Sequence, residues 1–156
     1  MTGRDDDAEI NALLARYAHL CDLRDVEGVA ACFTADGRAS FAGERLAPGR
    51  AAIAAYLQPL TDRVSTLVTQ HVVGSVWILL SGDGGSATAR SYTTVHVVRP
   101  AAGGTQEVVH RGLSYDDTIV RTAEGWLFAE RVHQVLWSTT EPTQWPVPPY
   151  VAPTGD

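Results

Sequence analysis

Residues 69–98 read TQHVVGSVWILLSGDGGSATARSYTTVHVV. β-Branched and aromatic residues fill both halves of this stretch, and the turn-forming residues 81–85 separate them. A connection this short joins antiparallel strands, and two further runs of the same kind follow along the chain. The four predicted strands are 71–80, 87–98, 106–120 and 126–137. The second half of the chain is thus expected to form an antiparallel meander.

The N-terminal part of the chain follows a different period. Apolar residues recur at helical spacing in three segments, and turn-forming residues follow the second of them. The predicted helices are 7–21, 25–33 and 49–60, with a brief strand over 38–42. Because helices precede a run of antiparallel strands, the pattern predicts an α+β fold.

A single domain over 1–156 is expected, since 156 residues with 45% apolar content suffice for one core. Within it, residues 1–7 are predicted to be a flexible N-terminus. The tail 141–156 is rich in proline, which cannot donate a backbone hydrogen bond, so an extended surface segment is expected there.

The charge of the chain argues against two classes of partner. A formal net charge of -6 and an isoelectric point near 5.2 provide no basic surface for nucleic acid or anionic lipid. The acidic start of the chain does not resemble a signal peptide, and no apolar run is long enough to span a bilayer. We therefore expect a cytoplasmic protein that binds neither nucleic acid nor membranes.

Neither a metal nor a cofactor is expected. Cys21 and Cys32 are predicted to be buried free thiols, because two cysteines are too few for a disulfide-stapled domain. No cluster of His, Cys and carboxylate residues has the spacing of a metal site. The glycines at 82, 84 and 85 form a turn that no helix follows, unlike a phosphate-binding loop.

Four polar residues stand out against their surroundings. Asp22 lies at the end of the first predicted helix, where a negative charge is unfavourable, and Tyr17 precedes it on the same helix. His71 begins the first long strand. Arg131 lies among apolar neighbours on the last strand and requires a carboxylate, a substrate oxygen or solvent beside it. The alternatives are a solvated surface position for Asp22 and an exposed sheet face for Arg131.

The sequence also resembles a known family. The resemblance rests on Tyr17 and Asp22, Asp36-Gly37, Gly49, Thr69-Gln70-His71, Tyr115-Asp116-Asp117 and Gly125-Trp126-Leu127-Phe128. This pattern is similar to the SnoaL-like family of the nuclear transport factor 2-like superfamily. The superfamily includes scytalone dehydratase, the bile-acid dehydratase, hexachlorocyclohexane dehydrochlorinase and polyketide cyclases. The resemblance implies a cone-shaped α+β barrel, in which N-terminal helices pack on a curved antiparallel sheet and enclose a pocket.

The resemblance implies roles for the four residues as a catalytic set. Asp22, His71 and Arg131 match an Asp, a His and an Arg that the bile-acid dehydratase and the dehydrochlorinase carry at corresponding places. The Asp there orients the imidazole, the neutral ring removes a proton from carbon, and the Arg stabilises the departing group. Tyr17 matches the position of a hydroxyl or ammonium donor.

Other residues are expected to contact the ligand or a second copy of the chain. The predicted substrate-binding residues are His96, Trp77, His110, Tyr56, Tyr92 and Trp137. Of these, His96 and His110 are candidates for a second acid, as in scytalone dehydratase. Members of the superfamily bury the outer face of the sheet against a copy of themselves, so Trp77, Trp126 and Trp137 suggest a homodimer.

The expected function is that of a cofactor-independent lyase, isomerase or cyclase acting on a hydrophobic, polyketide- or terpenoid-like molecule. Asp–His acid–base catalysis of a dehydratase-type elimination or a cyclisation fits the resemblance best. The alternative is a non-catalytic domain of the same fold that binds a small molecule or takes part in assembly.

Overall fold

A computed structural model describes residues 3–62 and 64–150. Within these residues, helices occupy the N-terminal part and long strands the rest. The helices are α1 (Gly3–Leu23), α2 (Val26–Ala31) and α3 (Arg50–Leu57). The strands are β1 (Phe33–Phe41), β2 (Glu44–Arg45), β3 (Val68–Leu80), β4 (Ser86–Pro100), β5 (Gln106–Thr122) and β6 (Gly125–Pro142). Short 3-10 turns cover Gln58–Thr61 and Ala102–Gly104. The predicted α+β architecture is confirmed.

The six strands form one open sheet in the order β2-β1-β6-β5-β4-β3, with β2 and β3 at its edges. The antiparallel meander of β3 to β6 is as predicted. The sheet as a whole is mixed, because β1 pairs with β6 in parallel. β1 is also longer than the predicted strand 38–42. It begins at Phe33, which was predicted to end the second helix but instead pairs with and packs against Phe128 on β6.

Helix α1 and strand β6 both extend beyond the bounds predicted for them. Residues 3–7, predicted to be flexible, are part of α1, because Asp6 is buried and forms an ion pair with Arg121 on β5. At the other end β6 continues to Pro142, beyond the predicted limit of the strand, since it pairs with the start of β5. Residues 1–2 and 151–156 of the predicted terminal segments lie outside the described residues.

Among the described residues, the larger of two buried hydrophobic clusters lies under α1. The apolar face of α1, including Ile10 and Leu14, packs with Phe33 and Phe128 into a cluster of fully buried residues. Both cysteines are free thiols; Cys32 is buried as expected, whereas Cys21 is only partly buried. Along β4, Ala87 and Ala89 belong to this core, whereas Val95 and Val97 line a pocket. The concave side of the sheet thus changes from a packed core to a cavity along its strands.

Candidate functional site

A pocket of about 500 Å³ lies between α1 and the concave side of the sheet. Its volume falls within the range that holds a small organic molecule. Valine and leucine side chains of β4, β5 and β6 form much of its wall, including Val95, Val109, Leu113 and Val135. Polar side chains, among them His71, His133 and Tyr17, interrupt this apolar wall.

Two of the predicted catalytic residues meet at the pocket. Asp22, in the last turn of α1, accepts a hydrogen bond from the backbone N–H of His71 at 2.9 Å through Oδ2. Its other oxygen, Oδ1, lies 2.6 Å from Nδ1 of the same histidine. His71 lines the pocket, whereas Asp22 is outside the lining and reaches a ligand only through His71. The unfavourable position of Asp22 at the helix end thus has a local explanation.

The contact with Asp22 fixes how the imidazole carries its proton. An ionised carboxylate only accepts hydrogen bonds, so the 2.6 Å contact requires a proton on Nδ1 of His71. In the neutral ring the lone pair is then on Nε2. Both side chains are largely buried, at 13% exposure for His71 and 19% for Asp22, which limits competition from water. The pair therefore has the arrangement of an oriented general base.

Tyr17 also lines the pocket and is almost completely buried. Burial raises the pKa of its hydroxyl well above the ordinary value. The group therefore stays protonated and is a hydrogen-bond donor. Its ring packs edge-on against Phe128 and Tyr115, which fixes its position.

The structure places Arg131 below the pocket, and it is not part of the lining. Its guanidinium lies 4.1 Å from the ring centre of Tyr17 and 3.9 Å from that of Tyr115. Its carboxylate partner is Asp117, at 3.2 Å. The partner that the sequence requires therefore exists, but Arg131 contacts the rings that form the floor and not the cavity.

Burial disfavours the charged form of both members of this pair. It raises the pKa of Asp117 to about 6, against the attraction of the Arg131 guanidinium. Burial lowers the pKa of Arg131, but the nearby negative charge of Asp117 opposes this effect and the pKa stays above its ordinary value. We therefore take the pair as ionised at neutral pH, because a protonated Asp117 would leave a buried guanidinium unpaired.

Sequence reasoning missed His133 as a pocket residue. This histidine lines the cavity between Phe41 and Tyr115, and its Nδ1 accepts a hydrogen bond from the backbone N–H of Ala42 at 3.1 Å. Burial, followed by the charge of Arg131, lowers its pKa to about 4. At neutral pH its ring is therefore uncharged, with the proton on Nε2. Its position on the same face as Arg131 was the available signal.

Among the predicted substrate-binding residues, Tyr56 lines the pocket and stacks on Phe41 with ring centres 5.1 Å apart. The other five lie away from this pocket: His96, His110, Trp77, Tyr92 and Trp137. Strand alternation explains their position, because pocket residues such as Val95 and Val109 precede His96 and His110 directly. The two histidines contact each other at 2.8 Å, and His110 also contacts Glu141.

In the part of the chain that the structure describes, no group of three or more His, Cys, Asp or Glu residues is placed to hold a metal ion. None of its helices is both long and apolar enough to cross a bilayer.

Comparisons with known proteins agree with this architecture. The SnoaL-like domain profile matches residues 4–132. An uncharacterised protein of Mycobacterium tuberculosis is 30% identical over 128 residues, which cover 81% of this chain and 83% of the relative. The solved structure of an NTF2-like protein with a cystatin-like fold from Novosphingobium aromaticivorans has 32% identity and a TM-score of 0.69, covering 85% of this chain and 82% of that one. ActVI-ORFA from Streptomyces coelicolor has 28% identity and a TM-score of 0.63, covering 83% and 96%. The chain therefore belongs to the SnoaL-like domain family.

Proposed function

We propose that this protein is a cofactor-independent lyase, isomerase or cyclase that removes a proton from carbon in a hydrophobic small molecule. One observation carries the proposal: the carboxylate of Asp22 contacts both the backbone N–H and Nδ1 of His71 at the wall of an apolar pocket. An imidazole held in one tautomer by a carboxylate is the arrangement that general bases use.

In the proposed reaction, Nε2 of His71 takes a proton from a carbon of the substrate. The ring then becomes an imidazolium, and the nearby Asp22 carboxylate stabilises its positive charge. In an elimination, the electrons of the broken C–H bond form the double bond, and hydroxide departs. Tyr17 donates a hydrogen bond to that oxygen from the pocket floor, and its raised pKa keeps the donor proton in place. In a cyclisation, the same electrons form a bond to a carbonyl carbon, the C=O π bond opens, and its oxygen takes up the proton from the imidazolium.

We assign Arg131 a supporting role and do not place it in contact with substrate. Its guanidinium packs against the rings of Tyr17 and Tyr115, so it keeps Tyr17 at the floor of the pocket. A cation beside an aromatic face is stabilising, particularly where water is excluded. Arg131 is thus a positioning residue in this proposal.

The proposed substrate class follows from the lining. Valine and leucine walls around about 500 Å³ favour a ring-containing apolar metabolite, such as a polyketide or a terpenoid. A cytoplasmic location and the absence of nucleic-acid partners remain predictions from composition.

We also propose a homodimer through the outer face of the sheet. Trp77 and Trp137 are exposed there, at 64% and 50%, together with Tyr92 and Leu79. Trp126, which the sequence assigned to the same face, is buried instead and belongs to the core. Light scattering after gel filtration measures the mass, and Trp77→Ser is expected to shift it toward the monomer.

The catalytic proposal is tested with a panel of polycyclic and terpenoid alcohols, epoxides and enones. Binding is followed by ligand-observed NMR, and products and solvent deuterium incorporation are analysed in ²H₂O. His71→Ala is expected to abolish turnover and deuterium incorporation while binding persists. His19→Ala is the matched control, because His19 is an exposed histidine of α1 outside the pocket lining. Equal binding without turnover in either protein would favour the non-catalytic alternative.

The role of Asp22 is tested separately because it acts through His71. Asp22→Asn keeps the size of the side chain but removes the charge that stabilises the imidazolium. A rate loss of about 10²- to 10⁴-fold is expected, in line with mutations that disturb an oriented base. The acidic limb of the kcat/KM profile should move to lower pH. A variant that loses activity with an unchanged pH profile would assign Asp22 a structural role only.

A further inference from the structure

The charged residues of the pocket lining are all of one sign. Three arginines line the cavity, Arg24, Arg99 and Arg111, whereas none of the described residues of the lining is an aspartate or a glutamate. The chain as a whole carries a formal net charge of -6. This local excess of positive charge is therefore opposite in sign to the protein around it.

Two of these arginines have partners within the protein. Arg99 binds the carboxylate of Glu107 at 2.7 Å. Arg24 donates a hydrogen bond to the carbonyl of Thr66 at 2.6 Å, which connects α1 to the segment before β3. Both cations are therefore at least partly satisfied without a ligand.

Arg111 differs from both. No hydrogen bond or ion pair joins its side chain to another residue in the described part of the chain, although it is exposed on the wall. Valine and leucine residues surround its position: Val109 and Leu113 on its own strand and Val95 on the next. An apolar residue would pack better than an arginine at this position in the wall. Its five N–H donors are available to a bound molecule.

Arg111 also lies in register with the proposed base. His71 pairs with Val95, and Val95 pairs with Arg111, so the three residues form a row across β3, β4 and β5. Residues paired in this way project to the same face of the sheet. Two strand spacings separate the Cα atoms of His71 and Arg111 by roughly 10 Å. A molecule of one or two rings fits between the two side chains.

We propose that Arg111 binds a carboxylate of the substrate, so that the substrate of this pocket is an apolar ring system that carries an acid group. A guanidinium binds a carboxylate through two parallel N–H···O hydrogen bonds, which fixes orientation as well as position. The apolar part of the molecule then lies against the valine wall, and its far side faces His71. This inference rests on the proposed function in taking the pocket as the substrate site.

Binding of 2-naphthoate and of its methyl ester tests the proposal, because the two probes share a ring system and differ in charge. Ligand-observed NMR titration at pH 7.5 and millimolar ligand measures both affinities. The wild type is expected to bind 2-naphthoate at least tenfold more tightly than the ester. Arg111→Met is expected to remove this preference by weakening only the acid, and Arg111→Lys to retain part of it.

Arg38→Met is the matched control. Arg38 is an exposed arginine on β1 outside the pocket lining, so its loss changes the net charge equally and should leave both affinities unchanged. Equal binding of acid and ester to the wild type would overturn the proposal, as would a parallel loss of both in Arg111→Met or no binding of either probe. The assay needs no turnover, so these results are independent of whether His71→Ala abolishes catalysis.

Discussion

The guanidinium of Arg131 lies 3.2 Å from the carboxylate of Asp117, and both side chains are almost completely buried. Removing one partner leaves the other charge without compensation in a medium that solvates it poorly. Arg131→Met is therefore expected to lower the free energy of unfolding by about 3 kcal/mol, measured by urea denaturation.

An exposed ion pair provides the comparison. Arg45 lies 3.3 Å from Glu130, but its side chain is 75% exposed, so Arg45→Met should cost less than about 1 kcal/mol. In a double variant, Arg131→Met with Asp117→Leu, no charge remains buried. Its free energy of unfolding should therefore fall by less than the sum of the falls in the two single variants. Equal small losses for Arg131→Met and Arg45→Met would contradict the assigned role of the buried pair.

The fold was predictable where a single period dominates. Helical spacing identified α1, and β-branched runs identified β3 to β6. β1 was harder to predict, since its middle residues Asp36 and Gly37 suggest a turn and most of its pairing is the parallel one with β6. Such a pairing depends on residues that are far apart in the chain, so local propensity does not determine it.

The site was predictable only in part for a related reason. Alternation along a strand divides residues into two faces, but it does not tell which face is concave or how deep a residue lies. The sequence alone therefore did not show that His96 and His110 lie on the face opposite to the pocket residues Val95 and Val109. A bulge in β6 adds a second error: Val135 pairs with Leu113 and Trp137 with Gly112, so Val135 lines the pocket while Trp137 covers Gly112 on the other side.

Tyr17 combines two roles that substitutions separate. Tyr17→Phe keeps the ring against Arg131 and removes only the hydroxyl, so stability should change by about 1 kcal/mol or less. Tyr17→Leu also removes the edge-on contacts with Phe128 and Tyr115, and a loss of about 2–3 kcal/mol is expected. Urea denaturation measures both.

Turnover should not follow stability in the Tyr17→Phe variant. If the hydroxyl donates to the departing oxygen, Tyr17→Phe loses turnover by about 10²-fold although it is stable. Full activity in Tyr17→Phe would remove the hydroxyl from the proposed mechanism and leave the ring as its contribution.

Gln106 holds the C-terminal segment against the sheet. Its Nε2 donates to the carbonyl of Val147 at 2.9 Å, and its Oε1 accepts from the backbone N–H of the same residue at 2.6 Å. Gln106→Ala removes both hydrogen bonds, so limited proteolysis between Pro142 and Tyr150 should be several-fold faster than in the wild type. Gln134→Ala is the control, because Gln134 is an exposed glutamine on β6. Equal cleavage rates would show that other contacts hold the segment.

His133 should make the stability of the protein depend on pH. Its pKa is about 4 in the folded protein, compared with an ordinary value of 6.5, because burial disfavours the imidazolium and the positive charges of Arg131 and Arg111 and the ring of His71 add to the effect. The unfolded chain therefore binds more protons between these two values, and folding loses stability as pH falls from 6.5 to 4. Allowing for partial exposure, the loss amounts to about 2 kcal/mol.

Asp117 has the opposite effect on stability over the same pH interval. Its raised pKa of about 6 means that the folded state binds more protons than the unfolded chain, so stability rises as pH falls. A comparison with His133→Gln separates the two, because Asp117 is present in both proteins and glutamine still accepts the Ala42 N–H. Urea denaturation at pH 7 and pH 4 should show a fall about 2 kcal/mol larger in the wild type than in His133→Gln. His19→Gln, at an exposed histidine, should behave like the wild type. The same pH dependence in all three proteins would mean that folding does not lower the pKa of His133, and the expected cost of protonating the buried ring would be contradicted.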